Sequence, residues 1–343
     1  MRVGILTGGG DCPGLNAVIR AVVRKGTMYY GDSVVGFVEG WRGVLENRTM
    51  ELDLDSIAGI IHRGGTLLRT SRTNPQREPD GWERIRKSFE SQRLGALVAV
   101  GGDDTLGVAK WISDQGLPVV GVPKTIDNDL SGTDLCFGFD TAVGIATEAI
   151  DRLHSTAEAH NRVMVVEVMG REAGWIAIWS GIAGGADVVL IPEKPYDVAA
   201  VCELLKRRHA RGKYFSIVVV AEGARPAGGG ERPSAAGPRD AFGHERLGGI
   251  SNTLAEQIEA HTGYETRVVI LGHTQRGGTP TAFDRVLATR YGVYAIDMAH
   301  RGEFGRMASL RGQELTSVPL AEALGRNRKV GNDLYDLASV FFG

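Results

Sequence analysis

Apolar runs of strand length recur along the chain, and each gives way to glycine and charged residues at its carboxyl end. Residues 3–7, 33–38, 94–100, 118–122, 162–168, 187–191, 215–221 and 267–271 read as buried strands. Helical spacing follows over 17–30, where Val18, Ile19, Val22 and Val23 share one side, and over 106–115, 141–159 and 281–298. Trp175, Ile178 and Trp179 mark a further helix. Continuous apolar strands alternating with helices predict an α/β fold of mainly parallel sheets covered on both faces. Ligands bind such sheets beyond the carboxyl ends of the strands, where the polar motifs of this chain fall. Residues 224–249, rich in Gly, Pro and charge, predict a long exposed loop or hairpin, because strand–helix alternation resumes directly after them.

Composition narrows the picture. The 343 residues suffice for a large core and two lobes. A net charge of -2 gives no global field for nucleic acid or for an acidic membrane, and no apolar run is long enough to span a bilayer. The N-terminus begins directly with a strand, so no signal peptide is expected. Cys12, Cys136 and Cys202 are odd in number, widely spaced and lack a metal-binding pattern, which predicts a reducing cytoplasm.

The candidate chemistry sits in the loops. Pro123-Lys124-Thr125-Ile126-Asp127-Asn128-Asp129 places two carboxylates and a lysine directly after an apolar run. That set suits proton removal next to phosphate charge; a solvated turn with a helix cap is the alternative. Gly8-Gly9-Gly10-Asp11 opens a helix and reads either as a phosphate loop or as a tight turn. With Pro13 at the third-glycine position it is not a dinucleotide fingerprint, and with no Gly-Lys-Ser/Thr it is not a Walker loop. Gly101-Gly102-Asp103-Asp104-Thr105 pairs adjacent carboxylates, which fits Mg²⁺ with phosphate oxygens better than capping, since a cap needs one acid. Arg69, Arg72 and Arg77 form a basic loop, and Arg162, Arg171, Arg267 and Arg276 stand at strand ends, where they suit an anionic substrate. His273 could donate to a phosphate or be structural; Glu222 could hold a sugar hydroxyl or cap a turn.

Taken together, Gly8–Asp11, Gly101–Asp103, Thr125–Asp129, Met169-Gly170-Arg171, Glu222-Gly223 and Gly272-His273-Thr274-Gln275-Arg276-Gly277-Gly278 resemble, in order and spacing, the motifs of the phosphofructokinase family. The resemblance implies Mg²⁺-dependent phosphoryl transfer to the 1-hydroxyl of fructose 6-phosphate in a homodimer or homotetramer. By position, Asp127 resembles the base, with Thr125 and Asp129 flanking it, and Asp103 the metal-site acid. Gly10 and Arg72 resemble contacts to the phosphoryl donor. Arg171, Glu222, His273 and Arg276 resemble sugar-phosphate contacts, Met169 and Gly170 pack on the sugar, and Arg162 and Arg267 resemble arginines that reach in from a neighbouring subunit. The implied lobes are 1–139 joined by about 275–325, and 140–274 joined by about 326–343.

Asp104 and Lys124 stand where ATP-using members typically carry glycine. Asp104 adds charge where a nucleotide's α-phosphate would lie; like charges at about 4 Å repel by roughly 4 kcal/mol at an effective dielectric near 20. Lys124 adds a cation suited to pyrophosphate. The pair resembles the pyrophosphate-dependent branch, with ATP as the alternative donor. A Rossmann oxidoreductase is disfavoured by Pro13 and the carboxylate loops, and a non-catalytic sugar-phosphate binder by retention of the base and metal acid. Arg20, Arg24, Arg211 and Lys213 resemble parts of an effector site, but His154 and Asp187 depart from the regulated pattern, so allosteric control is not expected.

Overall fold

The computed structural model describes residues 1–228, 242–243 and 247–343. Most of the expected loop over 224–249 therefore lies outside the described residues. Eleven strands among the described residues form two sheets: β1 (Arg2–Thr7), β2 (Ser33–Phe37), β3 (Thr49–Leu52), β4 (Ala96–Gly101), β5 (Val119–Pro123), β6 (Val163–Val168), β7 (Val188–Leu190), β8 (Ser216–Ala221), β9 (Thr266–Ile270), β10 (Arg306–Arg311) and β11 (Glu314–Pro319). The first sheet runs β11-β10-β5-β4-β1-β2-β3 and the second β7-β8-β6-β9. The second is wholly parallel, and the first is parallel except for its antiparallel edges β3 and β11.

Burial on both faces explains the unbroken apolar runs, because β4, β5, β6 and β8 are buried at every position. Side chains alternate across the first sheet. Val98, Val100, Val120 and Val122 pack with Val18, Val22, Tyr291 and Ala295 of the helices Leu15–Lys25 and Ala282–His300. Leu97, Ala99 and Val119 face Ile85, Phe89, Leu106 and Ile112 on the opposite side. In the second sheet Val163, Val165, Val218 and Val220 pack on Leu205, Leu254 and Ile258.

The expected helix over 17–30 is α-helical only over Leu15–Lys25 and continues as a π-helical turn, Gly26–Tyr30. The helix expected over 106–115 begins three residues earlier, as Asp103–Asp114. Both adjacent acids thus lie in its first turn, and Gly102, not an aspartate, holds the N-cap position. Parallel strands share one direction, so the loops after β1, β4 and β5 gather at one edge, opposite those after β6, β8 and β9.

Candidate active site

Between these loop sets lies a cleft of about 390 Å³ lined by Gly10, Asp103, Asp104, Lys124, Thr125, Asp127, Asp129, Arg171 and Arg276, among others. Lys124 is 3% exposed, and its Nζ donates to the Gly10 carbonyl at 2.6 Å. Burial pushes its pKa down; nearby Arg276 adds to this, while Asp127 and Asp11 oppose it. Arg276 Nη1 donates to the Asp11 carbonyl at 3.3 Å. A Cβ on Gly10 would stand 2.7 Å from that nitrogen, so glycine is what lets the guanidinium approach this loop. Neither cation has a carboxylate within ion-pair distance among the described residues, and two cations held by carbonyls suit an anionic ligand.

The acids face them. The Asp127 amide is capped by Thr125 Oγ1 at 3.0 Å, whereas Asp127 Oδ1 is buried without a hydrogen-bond partner. Such an atom is costly unless a ligand proton or a cation satisfies it. Asn128 between the two acids adopts φ +51°, and its Oδ1 accepts from the Cys136 amide at 2.9 Å. Burial, then the charges of Asp127 and Asp103, push the Asp129 carboxyl up to about 7. Three mutually repelling carboxylates would be relieved by a divalent cation. Among the described residues, no group of three or more His, Cys, Asp or Glu side chains is placed to hold a metal ion.

Opposite, Glu222 Oε1 accepts from the Gly170 and Arg171 amides at 3.3 and 3.1 Å. Burial, then the charge of Asp127, raise Glu222 to about 7. A Cβ on Gly223 would lie 1.7 Å from the Arg171 carbonyl, so only glycine permits this approach of the two strand-end loops. Met169 is buried, and its amide donates to Gln275 Oε1 at 3.1 Å.

Seven of the expected residues are not among those lining the cleft: Met169, Gly170 and Glu222, described above, and Arg72, His273, Arg162 and Arg267. Arg72 and His273 are exposed. Arg162 and Arg267 converge instead on Glu265, Arg162 Nη2 at 2.7 Å, and the Arg162 Nε is buried without a partner. The effector-like positions are engaged internally: His154 Nε2 meets the Gly184 carbonyl at 2.7 Å, Asp187 pairs with Arg208 at 3.0 Å, and Arg211 reaches the Gly343 carbonyl. Sequence reading missed Asn327, which lines the cleft, Arg328 beside it, and Gln275, whose Nε2 is buried without a partner. Asn327 and Arg328 follow no strand, so the pattern that exposed the other loops gave no signal there.

This two-sheet α/β fold, with glycine loops and paired acids meeting in one cleft, is that of the phosphofructokinases, and the chain belongs to the phosphofructokinase family, whose profile matches residues 2–299. It is 58% identical, over the full length of both chains, to a pyrophosphate–fructose 6-phosphate 1-phosphotransferase of Streptomyces coelicolor. It is also 55% identical, again over both full lengths, to an ATP-dependent 6-phosphofructokinase of Mycobacterium leprae. Among solved structures, the pyrophosphate-dependent phosphofructokinase of Marinobacter aquaeolei superposes with a TM-score of 0.82 at 25% identity, over 97% of this chain and 86% of that one.

Proposed function

We propose that the chain transfers a phosphoryl group reversibly from pyrophosphate to the 1-hydroxyl of fructose 6-phosphate, giving fructose 1,6-bisphosphate and phosphate. The observation that carries the donor assignment is the buried Lys124 ammonium on the Gly10 carbonyl, with Asp104 in the same cleft. A compact donor needs a cation there, and the Asp104 carboxylate opposes the α-phosphate of a nucleotide. The name of the Streptomyces relative agrees; that of the Mycobacterium relative is what favours the second reading, an ATP-dependent kinase.

On this reading Asp127 takes the 1-hydroxyl proton as that oxygen attacks phosphorus, the bridging P–O bond breaks and phosphate departs. Thr125 holds the Asp127 backbone, and Lys124 and Arg171 stabilise charge on the transferred group. Mg²⁺, held by Asp103 with Asp129 nearby, would neutralise phosphate charge. Gly10 and Arg72 serve the donor. Glu222, His273, Arg276, Met169 and Gly170 serve the sugar phosphate, and Arg162 and Arg267 that of the neighbouring subunit in a homodimer or homotetramer. Residues 1–139 with about 275–325 form the donor lobe; 140–274 with about 326–343 form the sugar lobe. We place the enzyme in the cytoplasm, in keeping with three buried free cysteines and with no described helix long and apolar enough to cross a membrane.

A donor comparison on purified protein, with fructose 6-phosphate and Mg²⁺, tests this. Turnover with pyrophosphate far above that with ATP is expected; efficient use of ATP with none of pyrophosphate would establish the second reading.

A further inference from the structure

Residues 300–343 lie beyond the span that the family profile matches, yet part of this stretch is built into the cleft. Asn327 forms an antiparallel bridge with Leu130, and the Arg326 carbonyl accepts from Ser131 Oγ at 2.5 Å. The Val330 amide donates to Glu193 Oε1 at 3.0 Å, and the same oxygen accepts from the Gly174 amide at 3.0 Å. The segment is thus fixed at both ends, to the acid loop and to the turn that precedes the helix Trp175–Ala183.

Arg328 stands between these anchors. Its amide donates to the Asp129 carbonyl at 2.7 Å and its Nη1 to the Asn128 carbonyl at 3.4 Å. Its own carbonyl accepts from Trp175 Nε1 at 2.9 Å, and its guanidinium lies 4.1 Å from the centroid of the Trp175 ring. No carboxylate stands within ion-pair distance of it among the described residues, so its charge is directed at a carbonyl and an aromatic face. Asn128, whose carbonyl it meets, is in the left-handed backbone region at φ +51°, which asparagine adopts more readily than most residues and which its own Oδ1, accepting from the Cys136 amide, also helps to hold. That turn is what sets two acids two residues apart on the same cleft.

We propose that Arg328 is a positioning residue for the acid loop. Through the Asn128 carbonyl on one side and the Trp175 ring on the other, it fixes Asp127 and Asp129 relative to the loop that carries Arg171. It is not among the residues that line the cleft. The proposal rests on the phosphotransfer reading of the cleft, but not on which donor is used.

The test compares Arg328→Met, Arg328→Lys and Trp175→Phe in the full chain, by steady-state kinetics with whichever of pyrophosphate or ATP the unmodified protein uses. Loss of loop alignment should lower kcat of Arg328→Met by tenfold to about a hundredfold, with both KM values within about twofold. Arg328→Lys should recover part of the loss, and Trp175→Phe should fall in between. Amide exchange over 127–131, measured on the same variants, should quicken, and this readout needs no activity. An unchanged kcat, a raised KM at constant kcat, lysine no better than methionine, or a kcat loss that merely tracks the unfolded fraction would each overturn the proposal. Should Arg328→Met fail to fold, the other two variants decide it. If neither donor supports turnover, the phosphotransfer reading fails, and amide exchange alone still tests the clamp.

Discussion

Glu222→Gln should make the ligand-free protein more stable at alkaline pH. The carboxyl follows β8, and its Oε1 accepts two amide hydrogen bonds, which favour the ionised form; burial and the charge of Asp127 outweigh them and raise its pKa from 4.5 to about 7. Because folding raises this pKa, the protonated carboxyl's contribution is fully present below about pH 4.5 and is lost as the pH rises through about 7. At about 1.4 kcal/mol for each pH unit, the loss is roughly 3 kcal/mol at most. Glutamine keeps the accepting oxygen and has nothing to ionise. For a chain of this length, at about 2.1 cal/mol/K per residue, that difference corresponds to a Tm higher by up to about 4 °C at pH 8.5. Wild type and variant should coincide near pH 4.5, diverge as the pH rises to about 7 and keep a constant separation above that. Thermal unfolding across pH 4.5–8.5, without metal or substrate, measures this. Parallel curves, or a variant less stable at pH 8.5, would refute the reasoning that burial governs this carboxyl.

Three further outcomes follow from the proposed function. Asp127→Asn should lower kcat by about 10²–10⁴-fold with little change in either KM, as loss of a positioned base requires; near-normal turnover in a stopped assay would remove Asp127 from the chemistry. Asp104→Gly should raise kcat/KM with ATP relative to pyrophosphate by about tenfold, well inside the roughly 4 kcal/mol available from one like-charge contact; an unchanged ratio would place donor choice elsewhere. Arg267→Ala should raise the KM for fructose 6-phosphate by about tenfold or more while sparing that of the donor, in line with one lost charge-assisted hydrogen bond; a fully active monomer in sedimentation would contradict a contact across subunits.

The central strands were legible because they are buried on both faces, and an unbroken apolar run such as 96–101 has few other readings. The same logic located Lys124, Asp127, Asp129 and Asp103, which stand directly where such runs end. The β10–β11 hairpin escaped notice because its edge strand β11 is nowhere fully buried and begins with Glu314, and the four buried residues of β10 are bracketed by Arg306 and Arg311. The early start of the helix Asp103–Asp114 escaped because glycine caps it, leaving both aspartates to read as loop. Arg328 was invisible for a different reason: its partners are the carbonyls of Asn128 and a ring at Trp175, far away in sequence and joined only by tertiary packing.

The pairing of β5 with β10 has a consequence for synthesis. Every strand of the second sheet has been made once Ile270 is added, but the inner edge of β5, complete at Pro123, has no partner until Arg306 onward is available. About 180 residues separate the two, and ribosomes add roughly 5–20 residues per second. For on the order of ten to forty seconds the nascent chain therefore carries an open, apolar, parallel strand edge next to an unfinished cleft. A chain stalled between the two strands would be a ready substrate for a holdase, and premature termination in this interval would yield an aggregating fragment rather than a smaller enzyme.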